Sequence, residues 1–211
     1  IPSVHIKRGA DVVAYSGGKA IRGPQCAGLM LGRKDILQSA WQASSPHHGP
    51  GRDNKVGREE MIGMMAAVET WIKRDHDAEY KSWMTRLNTI AKKALTIEGV
   101  KTSVTEPEEL SNKHPTLWVS WDPAKFNVTG YEIAEELGST KPRVAVGSKD
   151  QSDGTTSIDL VSSHMQEGED KIVAERVFEI LNRKRNSKSM EMATPSENIS
   201  GLWEVNVQFF S

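Results

Sequence analysis

The residue best placed to do chemistry is Lys19, which follows two glycines and lies between two apolar runs. A lysine acts as a covalent catalyst only while its amine is unprotonated, a state that burial and neighbouring cations favour. Gly17 and Gly18 let the backbone approach a ligand closely, and Arg22 supplies a positive charge nearby. Ser16 adds a hydroxyl that can donate a hydrogen bond to a phosphate. The pattern indicates a reactive lysine, although a lysine after two glycines is more often only a solvated turn residue.

The pair Gly18-Lys19 superficially matches the phosphate loop of nucleotide hydrolases, and this alternative can be excluded. That loop has the pattern Gly-x-x-x-x-Gly-Lys followed by Ser or Thr. In this chain Val13 takes the first position and Ala20 takes the last. The glycine that forms the turn and the hydroxyl that binds magnesium are therefore both missing from the pattern.

The charge balance of the chain limits the partners it can attract. Its 211 residues include 27 Lys and Arg against 28 Asp and Glu, so the formal net charge is -1. No global basic field would attract nucleic acid or an anionic membrane, and a bound phosphate needs a local site. The single cysteine, Cys26, fits a reducing compartment. No run approaches the roughly 20 apolar residues that span a bilayer, and we predict a cytoplasmic protein.

Two short β-type runs flank the lysine loop, at residues 11–16 and 27–32. We predict that both are buried strands, with Gly, Pro and polar residues between them. Residues 33–41 can form a short helix. Residues 43–57 are dense in Ser, Pro, His and Gly, which indicates a loop that is longer than a simple turn.

Apolar residues recur at three- and four-residue steps from residue 58 to about residue 97, the pattern of one long helix or of two abutting helices. The charged patch 73–77 marks the expected bend. Beyond it, a small β-α-β-β-α domain is predicted. Its strands are expected at residues 117–121, 143–147 and 156–160, and its helices at residues 129–137, capped by Thr129, and 169–183.

The predicted fold class is α/β, and the predicted organisation has five parts. Residues 1–57 form the end of a large domain, and residues 58–97 form a connecting helix or helices. Residues 98–183 form a small α+β domain. Residues 184–200 are polar and are interpreted as a linker. Residues 201–211 alternate like a β-strand and are interpreted as the start of a further β domain.

Three segments carry a resemblance to a known family. Residues 10–35, ADVVAYSGGKAIRGPQCAGLMLGRKD, surround Lys19, and residues 45–60, SPHHGPGRDNKVGREE, contain a Gly-Arg-x-x-Lys-Val-Gly stretch. Residues 168–177 read GEDKIVAERV. Together they resemble fold-type-I pyridoxal-phosphate enzymes, specifically the group similar to bacterial selenocysteine synthase, an L-seryl-tRNA seleniumtransferase. The resemblance spans roughly residues 1–182 and is weakest between residues 75 and 140.

The resemblance implies that pyridoxal 5'-phosphate is the cofactor and that Lys19 is its Schiff-base lysine, which also moves protons at the α- and β-carbons of the substrate. It further implies that Ser16, Gly18, Arg22 and Gln25 contact the cofactor. Turn capping and a surface charge remain the alternatives for Ser16 and Arg22. Gln25 could instead only satisfy backbone groups of the loop.

A second set of candidate residues lies after the lysine loop. In fold-type-I dimers a loop shortly after the lysine often reaches the cofactor of the neighbouring subunit, which implies that His47, His48, Arg52 and Lys55 line the site. A polar connector is the alternative. Arg143 is a candidate for binding a substrate carboxylate. No metal site is predicted, because adjacent histidines point in divergent directions and no third ligand stands at a useful spacing.

Two functional hypotheses follow from these residues. The first is a pyridoxal-phosphate-dependent lyase or transferase that acts at the α- and β-carbons of an amino acid or amino sugar acid. The second is a non-catalytic paralogue or interaction module that keeps the fold but has no working cofactor pocket. Selenium transfer on a tRNA is a less favoured variant, because a net charge of -1 offers little to hold a tRNA.

We expect the chain to need further polypeptide. Ile1 is not a methionine, and Lys19 comes too early to be preceded by the strands that complete such a site. The expected partners are the missing N-terminal part of the enzyme or a second chain supplying it, further copies in a homo-oligomer, and a small-molecule amino substrate. Nucleic acid and membranes are not expected partners, and the chain by itself is expected to be inactive.

Overall fold

The structure is a computed structural model that describes residues 3–108, 114–187, 197–198 and 200–207. The chain divides into two compact units. The first unit contains residues 1–89, 104–117 and 161–171, and the second contains residues 90–103, 118–160 and 172–211. Among the helices of the described residues, none combines the length and the apolar character needed to cross a membrane.

The first unit carries the lysine loop on a two-stranded sheet. Its elements are α1 (Val4–Lys7), β1 (Val12–Ser16), β2 (Gly28–Gly32), α2 (Lys34–Gln42), a 3-10 turn (Arg52–Asn54), α3 (Arg58–Lys73) and most of α4 (His76–Ala94). β1 and β2 pair antiparallel, with Val12 opposite Gly32 and Ser16 opposite Gly28. The predicted strands and the short helix are therefore present. Their predicted burial is wrong for this chain, because each strand pairs only with the other among the described residues, and their side chains are half-buried or exposed.

The helical segment predicted at residues 58–97 consists of two helices, which was one of the two predicted alternatives. α3 ends at Lys73, and Arg74 has an extended backbone with φ -71° and ψ 136°. Asp75 then begins the next helix, because its Oδ1 accepts a hydrogen bond of 2.9 Å from the Ala78 N–H. The bend thus falls inside the charged patch that the sequence indicated.

The second unit holds a four-stranded sheet and a well-packed core. The elements that lie wholly or mainly in it are β3 (Lys101–Thr105), β4 (Thr116–Trp121), α5 (Pro123–Phe126), α6 (Gly130–Ser139), β5 (Gly147–Asp150), β6 (Thr156–Val161) and α7 (Glu169–Leu181). The strand order is β3-β4-β6-β5, and β5 pairs antiparallel with β6. Its fully buried side chains come from strands and helices alike and include Val119, Trp121, Ile133, Leu137, Ile158, Val177 and Ile180.

The start of α6 confirms the predicted cap. Thr129 Oγ1 accepts a hydrogen bond of 3.3 Å from the Glu132 N–H, and Glu132 Oε2 accepts one of 2.9 Å from the Thr129 N–H. This reciprocal pair satisfies two backbone donors that a helix start otherwise leaves free. The hydroxyl of the buried Thr156 also accepts a hydrogen bond of 2.8 Å from the Gly130 N–H, which fixes the helix start on β6.

Two strand predictions in this half of the chain need correction, and one strand was missed. β3 was not predicted. The strand predicted at residues 143–147 instead begins at Gly147, because the buried Val144 donates its N–H to the Leu137 carbonyl at 2.9 Å and holds the preceding residues against the end of α6. The predicted terminal strand is not formed in residues 201–207, and residues 208–211 lie outside the described residues, as does most of the predicted linker.

Candidate active site

The loop that joins β1 to β2 is closed by backbone hydrogen bonds around Lys19. Gly17 N–H donates to the Ala27 carbonyl at 2.9 Å, and Gly23 N–H donates to the Gly17 carbonyl at 2.8 Å. Arg22 N–H donates to the Lys19 carbonyl at 2.8 Å, which closes the turn that contains the lysine. The residues with candidate chemistry are therefore held on a defined backbone.

The side chain of Lys19 is exposed in this chain, as is that of Ser16. The sequence led us to expect surroundings that bury the amine, but Lys19 lies in the turn beyond the strands rather than between them. Gln25 Nε2 donates to the Gly18 carbonyl at 3.2 Å. Gln25 therefore satisfies a backbone group of the loop, which was the alternative to its predicted contact with the cofactor. The same hydrogen bond links the two sides of the loop.

Helix α3 supports the loop where glycines allow a close approach. A Cβ on Gly17 would lie 2.8 Å from Met64 Sδ, and one on Gly23 would lie 2.9 Å from the same sulfur. On the helix side, a Cβ on Gly63 would lie 2.9 Å from Pro24 Cγ. Real Cβ contacts are longer than this, so larger residues would require Met64 or Pro24 to shift. The buried Met64 is the centre of this contact.

Helix α4 supports the other side of the loop through ion pairs. Arg22 has a left-handed backbone with φ 62°, which costs a non-glycine residue about 1 kcal/mol. Its Nη2 contacts Glu79 Oε1 at 2.7 Å. Arg74 Nη1 lies 3.8 Å from Glu79 Oε2 and 3.4 Å from the Ala20 carbonyl oxygen. Two arginines thus share the single carboxylate of Glu79.

A cleft of about 380 Å³ opens beside α4 within the first unit. Its lining includes Arg22, Glu79, Ser82, Trp83, Arg86 and His164. Arg22 belongs both to the turn of Lys19 and to this cleft. The sequence did not single out Arg86, which lies in the stretch where the family resemblance is weakest, nor His164, which precedes the third resembling segment.

The segment after β6 forms one wall of the cleft and is fixed on α4. Ser162 Oγ donates to the Trp83 carbonyl at 2.9 Å, and Ser162 is buried. Arg86 Nη1 donates to the Met165 carbonyl at 2.5 Å. Both contacts tie the segment to consecutive turns of one helix, so hydrogen bonds within the chain hold this wall in place.

A tyrosine next to the cleft is held in its protonated form. The Tyr80 hydroxyl donates to Glu106 Oε2 at 2.6 Å. Burial, together with the Glu106 carboxylate, raises the pKa of Tyr80 to about 12. The Tyr80 ring is tilted against Trp83, with ring centroids 6.1 Å apart. Tyr80 therefore helps to position the Trp83 ring at the cleft.

The second set of candidate residues makes contacts mainly within its own loop. His47 Nδ1 lies 3.1 Å from the Trp41 carbonyl oxygen and donates to it when that nitrogen carries the proton. Arg52 Nη1 donates to the Pro46 carbonyl at 3.0 Å. Among the described residues, no hydrogen bond or ion pair joins this loop to Lys19. These contacts fit the polar-connector alternative.

The remaining three candidates are solvent-exposed. His48 and Lys55 lie in the same loop after α2, and Arg143 lies in the second unit. For each of them a role toward substrate or cofactor stays a prediction.

The α/β fold is shared with part of a solved enzyme. The structure titled D-Glucosaminate-6-phosphate Ammonia-lyase matches with a TM-score of 0.62 and 23% identity, over 84% of this chain and 45% of that chain. The predicted α/β fold class is therefore confirmed, and an identity of this size shows the fold alone.

Sequence comparison finds two enzymes. D-glucosaminate-6-phosphate ammonia lyase of Salmonella typhimurium (strain 14028s / SGSC 2262) is 25% identical over 175 residues, which are 83% of this chain and 44% of the lyase. A 5'-C-glycyluridine monooxygenase-decarboxylase of Streptomyces sp is 24% identical over 139 residues, 66% of this chain and 34% of that enzyme. The chain thus spans less than half the length of either relative. No family model matches the sequence, and neither relative confirms the selenocysteine synthase group.

Proposed function

We propose that the chain is part of a pyridoxal-phosphate-dependent lyase that acts on an amino sugar acid, with Lys19 as the residue that attaches the cofactor. The observation that carries the proposal is the alignment of 83% of this chain with an ammonia lyase whose name gives an amino sugar acid phosphate as its substrate. The closed turn that holds Lys19 supports it further, because a covalent catalyst needs a fixed backbone and an accessible amine.

The residues around Lys19 fit the cofactor chemically. An exposed amine can reach an aldehyde, and the Ser16 hydroxyl and the Arg22 guanidinium are donors suited to a phosphate. Gly18 and Gln25 complete the proposed cofactor contacts. When bound, pyridoxal phosphate supplies an electron sink for the pair of electrons left at the substrate α-carbon.

The chain's own residues have two tasks in this proposal. Lys19 Nζ removes the proton from the substrate α-carbon and delivers a proton to the β-hydroxyl group, which leaves as water when its bond to the β-carbon breaks. Hydrolysis of the unsaturated amine that remains then releases ammonia and leaves a ketone. The backbone of the turn keeps Lys19 Nζ in place, because α3 packs against Gly17 and α4 pairs with Arg22. His47, His48, Arg52, Lys55 and Arg143 are proposed to contact substrate or a neighbouring subunit.

We further propose that polypeptide corresponding to the unmatched part of the lyase covers one face of α3. Met61, Ile62, Met65 and Ile72 are 51 to 70% exposed there, and the chain matches only 44% of the lyase. Exposed apolar side chains that cluster on one helix mark an interface. This chain alone should bind no cofactor, and mixing it with that polypeptide should restore binding. Cofactor binding by the isolated chain would contradict this proposal.

Trapping with borohydride tests the function on the complete enzyme. Titration with pyridoxal phosphate should produce an absorbance band near the visible edge, and reduction should fix the cofactor on the peptide that contains Lys19. Lys19→Ala should lose the adduct and the release of ammonia from D-glucosaminate 6-phosphate. Lys34→Ala is the matched control, because Lys34 is an exposed lysine outside the loop. If cofactor-saturated wild type gives no adduct, the lyase proposal fails and the non-catalytic alternative is favoured.

A further inference from the structure

The cleft beside α4 carries an excess of positive charge. Arg22 and Arg86 line it, and Glu79 is the acidic residue among the lining residues that the structure describes. That carboxylate is already shared by Arg22 at 2.7 Å and Arg74 at 3.8 Å. Two guanidinium groups therefore line the cleft with one carboxylate, and the carboxylate is paired with Arg22, which leaves about one positive charge, that of Arg86, to attract an anion.

Arg86 is the arginine with spare donors. Its Nη1 donates to the Met165 carbonyl, and among the described residues it makes no ion pair. Its remaining N–H groups therefore have no protein acceptor in the part of the chain that the structure describes. A guanidinium held in place by one of its five donors presents the others in a rigid fork, the geometry that binds phosphate oxygens in pairs.

The other lining residues suit a polyhydroxy group beside that anion. Ser82, Ser163 and Gln166 offer hydroxyl and amide groups, and Glu79 can accept hydrogen bonds. Trp83 supplies an aromatic surface on the same wall. A volume of about 380 Å³ is larger than a lone carboxylate needs and is within the range of small-ligand pockets.

We propose that this cleft binds the phosphate monoester of a polyhydroxy substrate, with Arg86 as its main ligand. The proposal rests on the proposed function, because Arg22 joins the cleft to the turn of Lys19. The amine end of the substrate then lies toward Lys19, and its phosphorylated end lies toward α4. Substrates without a distal phosphate lose this contact and bind more weakly.

Titration of the complete protein with inorganic phosphate, followed by phosphorus NMR, tests the site without turnover. Wild type should bind phosphate saturably, and Arg86→Gln should weaken the affinity by about tenfold. Arg86→Lys keeps the charge but not the fork and should fall between them. Arg8→Gln removes the same charge from an exposed position outside the cleft and should change the affinity less than about twofold.

A lack of saturable binding to wild type would overturn the proposal, as would an equal loss in Arg8→Gln. Arg86→Gln also removes the contact with Met165, so circular dichroism must first show that it folds. Ser82→Ala leaves that contact intact and serves as the second variant. It should weaken phosphate binding by about threefold, and an unchanged affinity would contradict the proposal that the phosphate binds in this cleft.

Two further comparisons show whether the cleft binds the phosphate of the substrate or that of the cofactor. With D-glucosaminate 6-phosphate, Arg86→Gln should raise KM by about tenfold, whereas KM for unphosphorylated D-glucosaminate should change less than about twofold. The affinity for pyridoxal phosphate should stay unchanged. A loss of affinity for pyridoxal phosphate but not for pyridoxal would assign the cleft to the cofactor and overturn the substrate assignment.

The borohydride adduct separates this proposal from the proposed function. Wild type that binds phosphate at Arg86 but forms no adduct at Lys19 would refute the lyase and leave a phosphate site. Wild type that forms the adduct but binds no phosphate would refute the cleft alone.

Discussion

One methyl group at position 17 would test whether packing holds the turn of Lys19. A Cβ on Gly17 would lie 2.6 Å from the Ala27 carbonyl oxygen, 2.9 Å from the Pro24 carbonyl oxygen and 2.8 Å from Met64 Sδ. The two oxygens belong to the backbone of the same loop and cannot rotate away. Met64 is a flexible side chain but is only 5% exposed, so it has little space to move into.

The cost of Gly17→Ala follows from these contacts. Overpacking of this kind destabilises the folded state by about 1–3 kcal/mol. Alanine also lowers the conformational entropy of the unfolded chain, which stabilises the folded state by about 0.4–1 kcal/mol. The hydrogen bond from Gly17 N–H to the Ala27 carbonyl must lengthen as the loop shifts, which costs about 1 kcal/mol more. We expect a net loss of about 1–3.5 kcal/mol in the free energy of unfolding and a displaced Lys19.

Urea unfolding and borohydride trapping would measure the two effects on the complete enzyme. Gly138→Ala is the control, because a Cβ there meets no atom within 4 Å and Gly138 lies in helix α6. The control should gain about 0.5–1 kcal/mol and should keep full trapping at Lys19. Our reasoning is refuted if Gly17→Ala is as stable as wild type and traps the cofactor at the same rate.

Two further predictions concern Tyr80 and the start of α6. Because the folded pKa of Tyr80, about 12, lies above its unfolded value of about 10, its stabilising contribution is complete below pH 10 and is lost as the pH rises through 12. Absorbance titration against Tyr80→Phe should show one tyrosine ionising near pH 12, and ionisation near pH 10 would contradict the contact with Glu106. Thr129→Ala removes the hydroxyl that accepts a hydrogen bond from the Glu132 N–H but keeps the backbone N–H that donates to Glu132 Oε2. It should cost about 1 kcal/mol in thermal unfolding, whereas Thr129→Ser should keep the cap. Equal stability of the alanine and serine variants would contradict the role of this cap.

Helices were predicted from the sequence more accurately than strands, and the reason is physical. The bend between α3 and α4 rests on local signals, a charged patch and the capping carboxylate of Asp75. Strand β5 has no such signal, because its four residues, 147–150, are all exposed and include no apolar side chain larger than glycine's hydrogen. Its start depends on the contact between Val144 and Leu137, which lie seven positions apart, and on pairing with β6. Such pairing cannot be read from a short window of sequence.

One part of the candidate site could likewise be predicted from the sequence, and another part could not. The turn of Lys19 was predictable, because glycines and flanking apolar runs are adjacent in the chain. The cleft was not, because Arg22, Arg86 and His164 meet only after α4 and the segment following β6 pack together. A single arginine in a helix gives no sign that its partner is the carbonyl of Met165, 79 residues away.

The exposure of Lys19 bears on how the proposed enzyme would work. This chain supplies the lysine, the two helices that fix its turn and a charged cleft that shares Arg22 with that turn. The described residues do not enclose the amine, yet proton transfer at a substrate carbon is favoured where water is excluded and charges are held in a low dielectric. If the lyase proposal holds, the enclosing surface must come from polypeptide other than the described residues. Positioning and enclosure would then be separate tasks, so variants such as Gly17→Ala should impair positioning even in the assembled enzyme.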